Sequence, residues 1–119
     1  MGAPRHDMAT QTSWLTDDTR ALLEALVILD DTDEASDFLR DLCTLGELRD
    51  MSQRWAVVRL LDAGLHYGEI SRKTGASTAT ITRIASWFYH GEGGYRRMLD
   101  RLAERSQAGT KPYPTGSEQ

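Results

Sequence analysis

A chain of 119 residues with 39% apolar and 27% charged side chains has room for one small domain, a size at which the core is often completed by a partner subunit. One cysteine excludes an internal disulfide, and His6, His66 and His90 are too scattered for a metal site, so neither a metal nor another bound cofactor is expected. The longest apolar run, residues 21–29, contains Glu24 and is too short to span a bilayer. No basic-then-apolar leader opens the chain, and His6 stands where myristoylation wants Ser or Thr, so a cytoplasmic protein with no membrane attachment is expected.

Residues 1–13 lack periodicity and read as a flexible arm. Thr16 can cap a helix over about 17–30, whose Leu22, Leu23, Leu26, Val27 and Leu29 wrap more than one face. A helix apolar on several sides lies between other helices, and in so short a chain those include helices of a second subunit. The acidic linker Asp30-Asp31-Thr32-Asp33 leads to a second helix over about 34–43 carrying Phe38, Leu39 and Leu42; its acidic start suits the helix dipole. Cys43 reads as a small buried hydrophobe. Thr44-Leu-Gly-Glu47 has capping-box spacing and opens a third helix with Leu48, Met51, Trp55, Val58 and Leu61 on one stripe, ending at Gly64.

Two short helices follow, over about 67–74 and 78–89. Gly75 between them suits a sharp turn with positive φ, and Ser77 is a ready N-cap. His66, preceding the first, reads as an imperfect cap. Ile70 faces inward from the first helix, and Ile81, Ile84, Ala85 and Phe88 recur at helical spacing on the second. Ser77, Thr78, Ala79, Thr80, Thr82 and Arg83 are left outward. Small residues let a backbone approach the major-groove floor, Thr offers a hydroxyl and a methyl to base edges, and Arg binds guanine or phosphate. The pattern is that of a helix-turn-helix, although αα-hairpins with a central glycine also serve as plain packing units. Gly91-Glu-Gly-Gly94 breaks the pattern before a last helix over about 95–105, with Tyr95, Met98, Leu99 and Leu102 inward and Arg96, Arg97, Arg101 and Arg105 outward, on a solvated or phosphate-facing side. Residues 106–119 read as a disordered tail. Neither strand alternation nor repeats are evident, so the expected fold is all-α, about six helices spanning 14–105.

The formal charge of −4 is unevenly distributed. Residues 1–48 hold three basic against eleven acidic side chains, a balance of −8, whereas residues 49–105 hold ten against six, a balance of +4. The basic half contains the helix-turn-helix, and phosphate contact needs only a local positive patch.

The segments Phe38-Leu-Arg-Asp-Leu-Cys-Thr-Leu-Gly-Glu-Leu48, Gln53-Arg54, Leu60-Leu-Asp-Ala-Gly64, Gly75-Ala-Ser-Thr-Ala-Thr-Ile-Thr-Arg83 and Gly93-Gly-Tyr95 resemble the Trp repressor superfamily, in particular its short Trp-repressor-related (YerC/YecD-type) branch. The resemblance covers about residues 34–103. It implies an intertwined homodimer with a helix-turn-helix projecting from each side, binding double-stranded DNA at a pseudo-palindromic operator. The family's base-facing positions fall on Thr78, Ala79, Thr80 and Thr82. Its basic contacts from the first motif helix fall on Gly68 and Ser71, which cannot serve, with Arg72 and Lys73 close by as substitutes. The two arginines that hold the family's tryptophan corepressor fall on Arg54 and Arg83, marking a candidate effector pocket. The serine that meets the ligand's amino group falls near Trp87, whose indole would fill that space, so a small-molecule corepressor is allowed but free tryptophan is not the expected one.

Two functions are therefore open: a dimeric, sequence-specific transcriptional regulator, in particular a repressor; or a dimeric helical protein-interaction module that has lost DNA binding. No grouping of side chains points to catalysis, and no enzyme is expected.

Overall fold

The computed structural model describes residues 14–109, which form six helices and no strand: α1 (Asp17–Val27), α2 (Thr32–Leu42), α3 (Leu45–Asp62), α4 (Tyr67–Thr74), α5 (Thr78–His90) and α6 (Gly94–Gly109). The all-α expectation holds. None of these helices is long and apolar enough to cross a membrane. The chain divides into two compact units, Met1–Leu45 and Gly46–Gln119.

In the first unit, both helices are capped by their own side chains. Thr16 Oγ1 accepts from the Thr19 N–H at 3.1 Å, and Asp17 and Asp18 place negative charge at the positive end of α1. α1 stops at Val27, short of the expected end, because the chain tightens there: the Ile28 and Leu29 N–H groups donate to Ala25 and Leu26 carbonyls three residues back, each at 3.3 Å. α2 starts two residues before its expected position because Asp31 is its N-cap. Asp31 Oδ1 accepts from Glu34 N–H at 2.9 Å, while Glu34 Oε1 accepts from Asp30 N–H at 2.9 Å. No residue of either helix is buried; Val27 is 80% exposed. Cys43, expected to be enclosed, is half-buried, since two helices this short cannot close a core around it.

The second unit holds the core: Val57, Val58 and Leu61 from α3, Ile70 from α4, Ala76 from the turn, Ile81, Ile84, Ala85 and Phe88 from α5, and Leu99 from α6. Trp55, Leu60, Leu65 and Tyr95 pack around it. The stripe expected on α3 enters this core only through its second half. Val57 and Val58, about 100° apart on a helix, are both fully buried, so α3 is enclosed over a wider arc there, whereas Met51 is exposed. α3 ends at Asp62, where Gly64 turns the chain at φ +88° and the Leu65 N–H donates to Leu60 O at 3.2 Å.

The inward face expected for α6 is divided. Leu99 is buried and Tyr95 stacks near Trp55 (centroids 6.1 Å apart), but Met98 and Leu102 are 48% and 42% exposed. Arg96 is exposed, as its outward placement anticipated, and it also fastens the helix. Its Nη1 donates to Asp62 Oδ1 at 3.0 Å, its Nε donates to Asp100 Oδ1 at 3.1 Å, and its guanidinium lies 5.6 Å from the centroid of the Phe88 ring. The bond to Asp62 raises the guanidinium above its already high ordinary range. α6 continues to Gly109, which makes residues 106–109 helical where a tail was expected. The expected arm over 1–13 and the remainder of the tail, 110–119, lie outside the described residues.

Candidate nucleic-acid interface

The helix-turn-helix begins at His66, whose backbone is extended and whose N–H donates to Glu69 Oε1 at 3.1 Å. Glu69, in the first turn of α4, thus reaches back to satisfy the chain entering the helix. At the other end the Gly75 N–H donates to Ser71 O at 2.8 Å while the residue itself adopts φ +80°, ψ 0°, the left-handed conformation that a glycine takes without a Cβ penalty. Thr74 braces the turn from within: its hydroxyl donates to Ile70 O at 2.8 Å and accepts from Ala76 N–H at 3.1 Å. Ala76 is buried, so the turn is anchored on its inner side.

Ser77 caps α5, its Oγ accepting from the Thr80 N–H at 3.1 Å. Ile81, Ile84, Ala85 and Phe88 fill the buried face that the spacing anticipated. With that face fixed, geometry leaves Thr78, Ala79, Thr82 and Arg83 exposed on the opposite side, at the N-terminal half of the helix. Thr80 differs from its neighbours. It is half-buried and its Oγ1 lies 3.0 Å from Ser77 Oγ, so the two hydroxyls serve each other as well as the helix start. Arg72 and Lys73 are exposed in the last turn of α4, where cations also suit the negative end of the helix dipole.

The candidate sites are thus carried on three elements. Arg72 and Lys73 belong to α4, and Ser77 through Arg83 to the turn and α5, which a three-residue connection holds together. Arg54 lies on α3, exposed, as Arg83 is on α5. Trp87 is one turn beyond Arg83, and its indole is 51% exposed. Two participants were missed by the sequence reading, Gln53 and Thr74. Gln53 Nε2 donates to Thr74 O at 3.0 Å, joining α3 to the last residue of α4. The threonine before Gly75 is a local signal for a braced turn, but no pattern links it to a glutamine 21 positions earlier.

Among known proteins, the family described as Trp repressor protein matches residues 17–103. The uncharacterized protein YerC of Bacillus subtilis (strain 168) is 40% identical over 83 residues, which cover 70% of this chain and 80% of that protein. Two crystal structures share the fold at a TM-score of 0.73. One is a TrpR-like protein from Eubacterium eligens ATCC 27750, 40% identical, with 78% of this chain and 94% of that chain covered. The other is a candidate Trp repressor from Staphylococcus aureus, 34% identical, with 79% and 95% covered. The family match over residues 17–103, the sequence identity to these relatives and the shared fold lead to one assignment: the chain belongs to the Trp repressor family.

Proposed function

We propose that this protein is a dimeric, sequence-specific DNA-binding transcriptional regulator, acting as a repressor in the cytoplasm, and not an enzyme. The observation that carries the reading is α5 itself: one side wholly buried, the other offering Thr78, Ala79, Thr82 and Arg83 beside a braced turn. On this reading α5 enters the major groove, where Thr78 and Thr82 meet base edges and Ala79 lets the backbone come close. Ser77 and Thr80 set the start of the helix and contribute at its margin. Arg72, Lys73 and Arg83 supply the sequence-independent attraction to phosphate, which the +4 balance of residues 49–105 favours.

The unburied apolar side chains of α1 and α2, which a second copy would cover, support dimerisation. A two-fold dimer presents its two reading helices about 34 Å apart, one turn of duplex, and selects a pseudo-palindromic operator. Free tryptophan is not the corepressor on this reading, because the family's ligand-facing serine falls near Trp87, whose indole would take up that space. Calorimetric titration is expected to give no saturable tryptophan binding; saturable binding lost in Arg83→Ala would overturn this.

A protein-interaction module is the second reading, favoured by the absence of charge at Gly68 and Ser71 and by the −8 balance of residues 1–48. Purified protein incubated with fragmented genomic DNA at near-physiological salt separates the two. Recovery of a few promoter fragments sharing an inverted repeat supports the regulator; recovery of fragments without a shared site, or of none, from folded protein supports the module.

A further inference from the structure

Three hydrogen bonds meet at Thr74, and they are not equivalent. The hydroxyl's bonds to Ile70 O and from the Ala76 N–H join residues at most four apart and would form in an isolated hairpin. The third comes from outside: the Thr74 carbonyl, one of the acceptors that the end of α4 leaves without a helical partner, takes the Gln53 amide at 3.0 Å. Since a carbonyl only accepts, the group facing it must be the amide NH2. Gln53 is itself half-buried, so this donor is held in place and not freely exchanged with water.

Beside this bond, Val57, Val58 and Leu61 give α3 an apolar hold on the core shared with the motif. Apolar contact is non-directional: it keeps helices together but sets their angle only through shape. A hydrogen bond is directional and weakens steeply with distance and angle. We propose that Gln53 is a positioning residue for DNA reading, fixing the turn from Thr74 to Ser77 and so the angle at which α5 presents Thr78, Ala79, Thr82 and Arg83. The proposal rests on the DNA-binding reading above. Gln53 is on the protein side of the motif and touches no base; it acts through the turn.

The test uses two substitutions at a helical, half-buried site. Gln53→Met keeps the length and removes the donor, and Gln53→Glu sets an oxygen against the carbonyl oxygen. The probe is the duplex that wild-type protein enriches from a random-sequence library, compared with a scrambled duplex of the same composition. Both variants are expected to lose about tenfold in the ratio of the two affinities, the scale of one partly buried hydrogen bond. Binding to the scrambled duplex should stay within about twofold. Amide exchange at Gly75 and Ala76 should rise while that at Ile81 and Ile84 does not. A residue that only supports the fold would lower the melting temperature and leave the affinity ratio unchanged, and that result would overturn the proposal alone. A wild-type protein that enriches no sequence would overturn the DNA-binding reading and this inference with it.

Discussion

Thr80 and Thr82 are two positions apart on α5 yet stand in different chemical settings. Thr80 is half-buried with its hydroxyl beside Ser77, while Thr82 is exposed. Thr82→Val keeps the shape and deletes only the hydroxyl, so it is expected to weaken binding to the selected operator by about 1–3 kcal/mol if that hydroxyl meets a base, with little change on random duplex. Thr80→Ala should cost less specificity, since its hydroxyl already has a partner. Competition binding with operator and random DNA checks both; equal loss on the two duplexes would remove Thr82 from the base-reading set. Lys73, exposed at the end of α4, has a different signature. Lys73→Ala should weaken all sequences alike and reduce the slope of log affinity against log salt by about one. An unchanged slope would mean that Lys73 does not lie at a phosphate.

At the scale of the element, the ends of α4 and α5 both depend on glycine, but for different reasons. An alanine Cβ at Gly75 would find room, the nearest atom being Gln53 Nε2 at 3.9 Å, so its cost is the left-handed backbone alone. At Gly91 φ is ordinary, but a Cβ would stand 2.5 Å from the Trp87 carbonyl oxygen, the acceptor of the bond that ends α5. Gly75→Ala is therefore expected to destabilise by about 1 kcal/mol. Gly91→Ala should cost about 2 kcal/mol, because backbone must move to relieve the overlap. Urea unfolding monitored by helical circular dichroism measures both, and a Gly91→Ala protein as stable as wild type would show that the end of α5 yields freely. The α3 helix illustrates what spacing can and cannot convey. Its stripe is regular from Leu48 to Leu61, yet only the part that meets α4, α5 and α6 in the core is buried.

For the whole molecule, the decisive feature is the contrast between its two units. One has a ten-residue apolar core; the other has two helices with no buried residue. Apolar side chains such as Leu23, Leu26 and Val27, left exposed in a single chain, give a strong thermodynamic reason to associate. If a second copy covers them, folding is linked to association, and the melting temperature should rise with protein concentration. A melting temperature independent of concentration, together with a monomeric mass by ultracentrifugation, would overturn the dimer. Charge is divided along the chain as well: residues 1–48 carry a balance of −8, while residues 49–105, which contain α4 and α5, carry +4.

Local chemistry by itself determined the all-α class, the existence of all six helices, the turn at Gly75 and the buried face of α5. Each of these rests on neighbours within one or two helical turns: a cap such as Thr16 or Ser77, a glycine free to take positive φ, an apolar residue every third or fourth position. Several early ends were misjudged for the same local reason, since Asp31 proved a better cap than any residue after it and α6 had no stop signal before Gly109. What only the tertiary structure decided is which side chains meet across long stretches of chain. Gln53 reaches Thr74, Arg96 while still exposed reaches Asp62 and the Phe88 ring, and Met98 and Leu102 stay exposed although their spacing matches that of buried Leu99. Periodicity says which residues share a face, but only the packing of other helices against that face determines how much of it is covered.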